Sequence, residues 1–297
     1  MSKSVNNPHD KFVRDTFSDP ERARVFLKEF LPSNLVNLLA IESLKVLQES
    51  YLDKELNEYF SDLILELEVK GKKNKKINLA FLFEHKSAPD KNVLIQVGYY
   101  LFAHWFKQTK QRKKLQLVLP LIYYQGKQKW EVPGLVKLFG AYPEKFLAYV
   151  PRMEFLFFSL LEIPNHQIET LRSSMLAAAL GAQRLRFNPE TLVENFNRIL
   201  RLFPLEEADK NFLDILIVYS FTTTNLSEKN IAEAIKNIPQ PIKDQVMTTY
   251  DRLIKKGKTE MILALYDDGI GVSQIAKYGK ISDEDILKIL KDHGRVE

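Results

Sequence analysis

Asp62, Glu84 and Lys86 are residues whose types and spacing could do chemistry. Asp62 opens the run Asp62 to Val69, where Asp62, Glu66 and Glu68 fall on one face of a strand and Leu63, Leu65, Leu67 and Val69 on the other. Glu84 and Lys86 close a second strand-like run that starts at Ile77, and being two apart they share a face. A polar turn from Gly71 to Lys76 joins the runs. With that turn centred near Asn74, residues whose numbers sum to about 148 lie opposite each other, setting Asp62 against Lys86; a sum of 146 sets Asp62 against Glu84. Either register is even and brings the three groups within about 5–8 Å. Two carboxylates that close repel unless a cation or a shared proton lies between them. Carboxylate pairs with open water positions hold Mg²⁺ for phosphodiester chemistry. The plainer alternative is an edge hairpin with acids on its wet face and lysines at its tip.

The elements around these residues favour a site. Glu84, His85 and Lys86 directly follow the apolar run Asn78 to Phe83, so the polar groups end a largely buried strand. Asp90 can cap a helix from about Lys91 to Lys110, in which Gln96, Tyr99, Tyr100 and Ala103 form a face that looks back over the hairpin. Leu115 to Tyr124 reads as another apolar strand, closed by Gln125 and Gly126, and Ser43 to Tyr51 can supply the first strand. Upstream, His9 to Phe17 is a short helix, and Ser18-Asp-Pro-Glu21 starts a second that stops at Pro32.

The order helix, three strands, helix, strand, with Asp on the second strand and Glu-x-Lys on the third, resembles the PD-(D/E)XK nuclease superfamily. More narrowly, four phrases resemble the bacterial recombination-promoting nuclease and putative transposase family. They are Pro8-His-Asp-Lys-Phe12, Tyr59-Phe-Ser-Asp-Leu63, Phe83-Glu-His-Lys-Ser-Ala-Pro-Asp90 and Leu119-Pro-Leu-Ile-Tyr-Tyr-Gln-Gly126. Ser61 stands where the superfamily name has proline. Lys86 matches the superfamily pattern, although many relatives of the narrower family carry glutamine there. The resemblance implies an α/β restriction-endonuclease-like core and a DNA endonuclease that promotes recombination; the change of pattern past Pro164 bounds that core at residues 1–165 and leaves a helical C-terminal domain over 166–297 for packing, oligomerisation or DNA contact. In that reading Asp62, Glu84 and the His85 backbone carbonyl hold Mg²⁺, with Mn²⁺ or Ca²⁺ as substitutes. Lys86 orients the attacking water or neutralises developing charge, and Gln96 supports from the following helix.

Composition fits and sets limits. The chain has 297 residues, is 45% hydrophobic, and carries a formal net charge of +5. Its pI is near 9.0. A chain this size can bury a full core, and its mild basic bias suits a polyanion. The absence of cysteine excludes disulfides, thiolate metal sites and cysteine nucleophiles. No long uncharged apolar run and no secretory core are visible, so a soluble cytoplasmic protein is expected.

The histidines read as structural. His85 alternates away from Glu84 and Lys86, His9 and Asp10 can anchor the first helix, and His104 suits a satisfied half-buried side chain. Lys70, Lys72, Lys73, Lys75 and Lys76 crowd the hairpin tip; Lys107, Lys110, Arg112, Lys113 and Lys114 form a second basic cluster. Such runs are often solvated turns. Beside a phosphodiesterase cleft, Lys72, Lys73, Lys75, Lys76, Arg112 and Lys113 would contact DNA phosphates and make binding salt-dependent. Glu66 and Glu68 are expected to line a solvated strand face. Past Pro164 the pattern turns to amphipathic helices, at about 166–186, 189–202, 207–220, 227–236 and 240–256. The end of the chain has helix-turn-helix cadence, but Asp283-Glu-Asp285 would meet phosphates with three negative charges, so residues 257–297 read as a packing or oligomerisation module.

Two other classes compete with the endonuclease. A DNA-binding protein with a silent nuclease fold would bind with a steep salt slope and show no metal-dependent turnover. A transposase would need specific end binding and a separate acidic triad, neither of which the sequence displays. Cutting both strands needs two sites, which a two-fold homodimer would provide.

Overall fold

Pro20, directly after Asp19, starts the second helix. The Asp19 carboxylate accepts a hydrogen bond from the Arg22 backbone N–H at 2.8 Å, satisfying a donor the first turn leaves open. The structure, a computed structural model, describes residues 8–47, 63–72, 75–84, 89–203 and 210–296. The chain opens with α1 (Pro8–Phe17), α2 (Pro20–Phe30) and the single turn α3 (Ser33–Val36). Strands β1 (Leu39–Leu47), β2 (Leu63–Val69) and β3 (Lys76–Glu84) follow, then α4 (Val93–Lys110) and β4 (Leu117–Tyr124). This is the expected order, with β1 beginning earlier in the chain than the Ser43 start read from sequence. After the short helix α5 (Glu144–Leu147) comes β5 (Leu156–Ser159), a strand within the apolar run at Phe155 to Leu161.

The five strands form one mixed sheet in the order β1-β2-β3-β4-β5. β1, β2 and β3 pair antiparallel, while β3–β4 and β4–β5 are parallel. A parallel neighbour requires a crossover, and α4 supplies it between β3 and β4. The β2–β3 register corrects the sequence reading. Leu63 faces Phe81 and Glu66 faces Asn78, so opposed residues sum to 144, not 146 or 148. The cause lies in the turn. Gly71 takes φ +68°, a conformation glycine adopts without strain, and the Val69 N–H bonds the Lys75 carbonyl at 2.9 Å. The chain therefore reverses two residues ahead of Asn74. The register remains even, so acids and apolar residues keep their separate faces.

Alternate positions of the sheet serve two cores. Leu63, Leu65, Leu67, Ile77, Leu79, Leu121 and Tyr123 pack with α1, α2 and the helix α7 (Ser174–Arg184). On the opposite face Val118, Ile122 and Tyr124 pack beneath Val93, Leu94, Val97, Tyr100 and Leu101 of α4, with Trp130. Ile64 lies on the acid-bearing face of β2 yet is only 1% exposed. The face read as solvated is thus covered at Ile64, partly covered at Glu66 and open at Glu68. β1 changes phase between Ala40 and Lys45, where the ladder is irregular. There the Ser43 hydroxyl accepts from the Glu68 N–H at 2.8 Å and donates to the Ala40 carbonyl, replacing the missing ladder contacts.

The remaining helices are α6 (Asn165–Glu169), α8 (Leu192–Leu202), α9 (Lys210–Thr223), α10 (Glu228–Ala234), α11 (Gln240–Asp267), α12 (Val272–Gly279) and α13 (Asp283–Asp292). α11 runs through Gly257, at which the sequence reading ended it. Two compact units result. The sheet lies in the unit spanning Met1–Pro204 and Tyr219–Asn237; the other spans Leu205–Val218 and Ile238–Glu297. In the second unit Ile262, Ile275, Ala276, Ile286 and Leu290 form a small core. Asp214 there accepts hydrogen bonds from Thr249, Arg252 and Gln245. Burial alone would raise its pKa, but these bonds and the Arg252 charge hold the carboxyl below its ordinary value. Among the described residues no helix is long and apolar enough to cross a membrane.

Candidate active site

Parallel strands end together at one edge of the sheet, and that edge carries the candidate site. In register, Glu84 pairs with Tyr124, and Tyr124 with Ser159; these residues end β3, β4 and β5. Loops leaving the carboxyl ends of parallel strands are where open α/β sheets gather ligands, since the following helix begins there. Here that helix is α4. Before its first turn, Asp90 accepts a hydrogen bond from the Asn92 N–H at 2.8 Å through Oδ1. Its Oδ2 accepts one from the Gln96 side-chain amide at 3.3 Å. Asp90 therefore closes a turn ahead of a helix that starts at Val93, two residues later than the capping pattern predicts. Gln96 is half-buried beside it.

The face proposed for α4 needs correction. Tyr99 is exposed, and the buried stripe is Val93, Val97, Tyr100, Leu101 and His104. Gln96 and Ala103 flank that stripe rather than define it. His104 is buried, stacks on Tyr100 and shares a 3.1 Å contact between its Nε2 and the Gln108 amide. Burial, followed by the nearby Lys107 charge, lowers its pKa.

Behind β4 the family phrase has a steric reason. A Cβ on Gly126 would sit 1.8 Å from the Tyr124 Oη and 2.0 Å from its Cζ, so only glycine lets the ring lie over the chain that follows it. Tyr124 meets Trp130 edge-on at 4.9 Å. Tyr123 points to the other core, where its hydroxyl donates to Gln183 at 2.9 Å. Ser159, buried at the end of β5, has no hydrogen-bond partner for its Oγ among the described residues. Neither Ser159 nor Gly126 carried a role in the sequence reading. The Gly126 signal was present in its phrase, whereas a lone serine in an apolar run gives none.

Of the expected catalytic group, Glu84 is placed through its backbone as the last residue of β3, and Gln96 is placed on α4. Asp62, His85 and Lys86 lie outside the described residues, as does Lys73. The expected phosphate contacts divide. Lys72 and Lys75 are exposed at the hairpin tip. Lys76 is also exposed, but its ammonium donates to Glu66 Oε1 at 2.7 Å, a bond that raises its pKa. Glu66 also accepts from Gln116 at 3.4 Å, so this acid joins β2, β3 and the start of β4. Arg112 and Lys113 are exposed just past α4, Arg112 in the left-handed region at φ +53°.

Among the described residues no group of three or more metal-ligating side chains converges. The expected donors, Asp62 and Glu84 with a backbone carbonyl, are all oxygen. Such a set suits a hard divalent cation and excludes a thiolate metal.

Residues 7–214 match the model of the family described as "Putative transposase, YhgA-like". The chain is 25% identical over 258 residues to the inactive recombination-promoting nuclease-like protein RpnE of Escherichia coli K12, covering 86% of this chain and 84% of that one. It is 28% identical over 127 residues to the recombination-promoting nuclease RpnC of the same organism, covering 42% of this chain and 41% of that one. With the recombination-promoting nuclease RpnA of that strain it shares 21% identity over 290 residues, covering 96% and 97%. No solved structure matches.

Proposed function

The chain belongs to the YhgA-like family, and we propose that it is a metal-dependent DNA endonuclease of the PD-(D/E)XK type that hydrolyses phosphodiester bonds and promotes recombination. The observation that carries this reading is the position of Glu84. An acid from the signature Glu84-x-Lys86 ends β3 in register with the ends of β4 and β5, where α4 begins. Two matched relatives are named recombination-promoting nucleases.

The proposed division of labour uses this chain's own groups. Asp62, Glu84 and the His85 carbonyl would hold Mg²⁺, which supplies a lowered pKa for bound water and charge neutralisation at the scissile phosphate. Lys86 would orient the water and offset charge on the phosphorane. Asp90 fixes the Gln96 amide, which leaves Gln96 to position water or backbone from the first turns of α4. Lys72, Lys73, Lys75, Arg112 and Lys113 would hold phosphates, and Lys76 would do so from its bond to Glu66. The test is conversion of supercoiled plasmid with Mg²⁺ or Mn²⁺, with and without EDTA. Nicking that needs the metal supports the proposal; an intact plasmid in both metals overturns it.

A second reading is favoured by one comparison. The relative RpnE, matched over 86% of this chain, is named inactive. A silent nuclease fold would still shift DNA at low salt without cutting it.

A further inference from the structure

Helix α4 is apolar on every side. From Val93 to Phe106, fourteen residues pass without Asp, Glu, Lys or Arg. Val93, Val97, Tyr100, Leu101 and His104 account for the buried face. On the far side Ile95, Tyr99, Phe102 and Phe106 are 51%, 55%, 62% and 60% exposed. A helix that is hydrophobic all round is ordinarily covered all round. We propose that this outer face is a homodimer interface, in which α4 packs antiparallel against α4 of a second copy.

The spacing selects a second copy as the occupant. Ile95, Tyr99, Phe102 and Phe106 are separated by four, three and four residues, the spacing of a two-helix seam. That pattern reads the same in both directions. A two-fold axis between antiparallel helices therefore sets Tyr99 against Phe102 of the other copy, and Ile95 against Phe106, with both contacts made twice. Large side chains so exposed present about 400 Å² of apolar surface on one helix, as large as the biggest patch of a typical monomer. It is about half of what one partner contributes to a standard interface.

Aromatic rings beside lysines could instead stack on nucleotide bases. The stripe argues against that use. It runs for about 16 Å along the helix, yet the cations of α4 sit only in its last turn, at Lys107 and Lys110. Lys110 already lies 4.6 Å over the Phe106 ring. Ile95 at the other end offers no ring. The dimer is independent of whether the chain cuts DNA.

The experiment uses the full chain, which has no cysteine of its own. Sedimentation equilibrium should give twice the 34.6 kDa chain mass. Phe102→Glu, a change at an exposed position, should weaken dimerisation by more than about 30-fold while the circular dichroism melt stays unchanged. Oxidation of the double variant Ile95→Cys with Phe106→Cys should link two copies, whereas each single variant should stay unlinked. A parent that is monomeric throughout, a dimer that survives Phe102→Glu, or single variants that link to themselves would overturn the proposal. So would a monomeric parent whose DNA binding is lost on Phe102→Glu, which would assign the stripe to base stacking.

Discussion

The His9 ring nitrogen Nδ1 lies 2.8 Å from the Tyr219 hydroxyl, joining residues 210 positions apart in the chain. Phe12, one turn beyond His9, stacks on the same tyrosine ring with centroids 4.0 Å apart. The phrase Pro8-His-Asp-Lys-Phe12 thus works as an anchor that seats α1 against the end of α9. Nothing in this contact calls on His9 for catalysis.

Tyr219→Phe keeps the stacking and removes the hydroxyl from a buried histidine. It should lower stability by about 1–2 kcal/mol. Tyr219→Ala also loses the packing, and should cost about 3–5 kcal/mol. Urea denaturation of both variants checks the ratio. Equal losses would mean that the hydrogen bond, and not the ring, holds α1.

His104 makes stability depend on pH in a defined direction. Its folded pKa lies below the ordinary value of 6.5, so the unfolded chain binds the proton more readily. Stability is then highest above about pH 6.5 and falls as the pH drops below it toward the folded value. His104→Gln should flatten that slope between pH 7 and 5, as read by thermal melts across this window. An unchanged slope would place the titration elsewhere.

Gly126 should refuse a side chain. In Gly126→Ala the new methyl meets the Tyr124 hydroxyl and the ring carbon behind it, and displacing that buried ring should cost about 1–3 kcal/mol. Because Cζ is itself in the way, Tyr124→Phe should not rescue the variant, whereas the smaller Tyr124→Leu should recover part of the loss. Melting temperatures of the three combinations decide the matter.

Much of the fold was legible because its strands are continuous apolar runs. Asn78 to Phe83 and Leu115 to Tyr124 announce apolar strands, and Pro20 after Asp19 announces a helix start. The β2–β3 register was not legible. A polar turn with both Gly71 and Asn74 offers two places to reverse, and only the positive φ at Gly71 selects one. The buried face of α4 was hidden for a different reason. A helix apolar all round has no polar side to orient it, so nothing in the sequence separates the face through Gln96, Tyr99, Tyr100 and Ala103 from the stripe that is buried. Gly257 read as a stop, yet α11 continues through it. Within the candidate site, Glu84 could be found from the change of character at the end of β3, while Ser159 could not, since only tertiary pairing brings β5 beside β4.

The most direct test of the account is the rate of supercoiled-plasmid nicking in Mg²⁺ by the parent, Asp62→Asn, Glu84→Gln and Lys86→Ala. Each substitution is expected to slow nicking by about 100-fold or more, while DNA binding at low salt is retained in all four proteins. Nicking by Asp62→Asn or Glu84→Gln at the parental rate would contradict the assignment of the site.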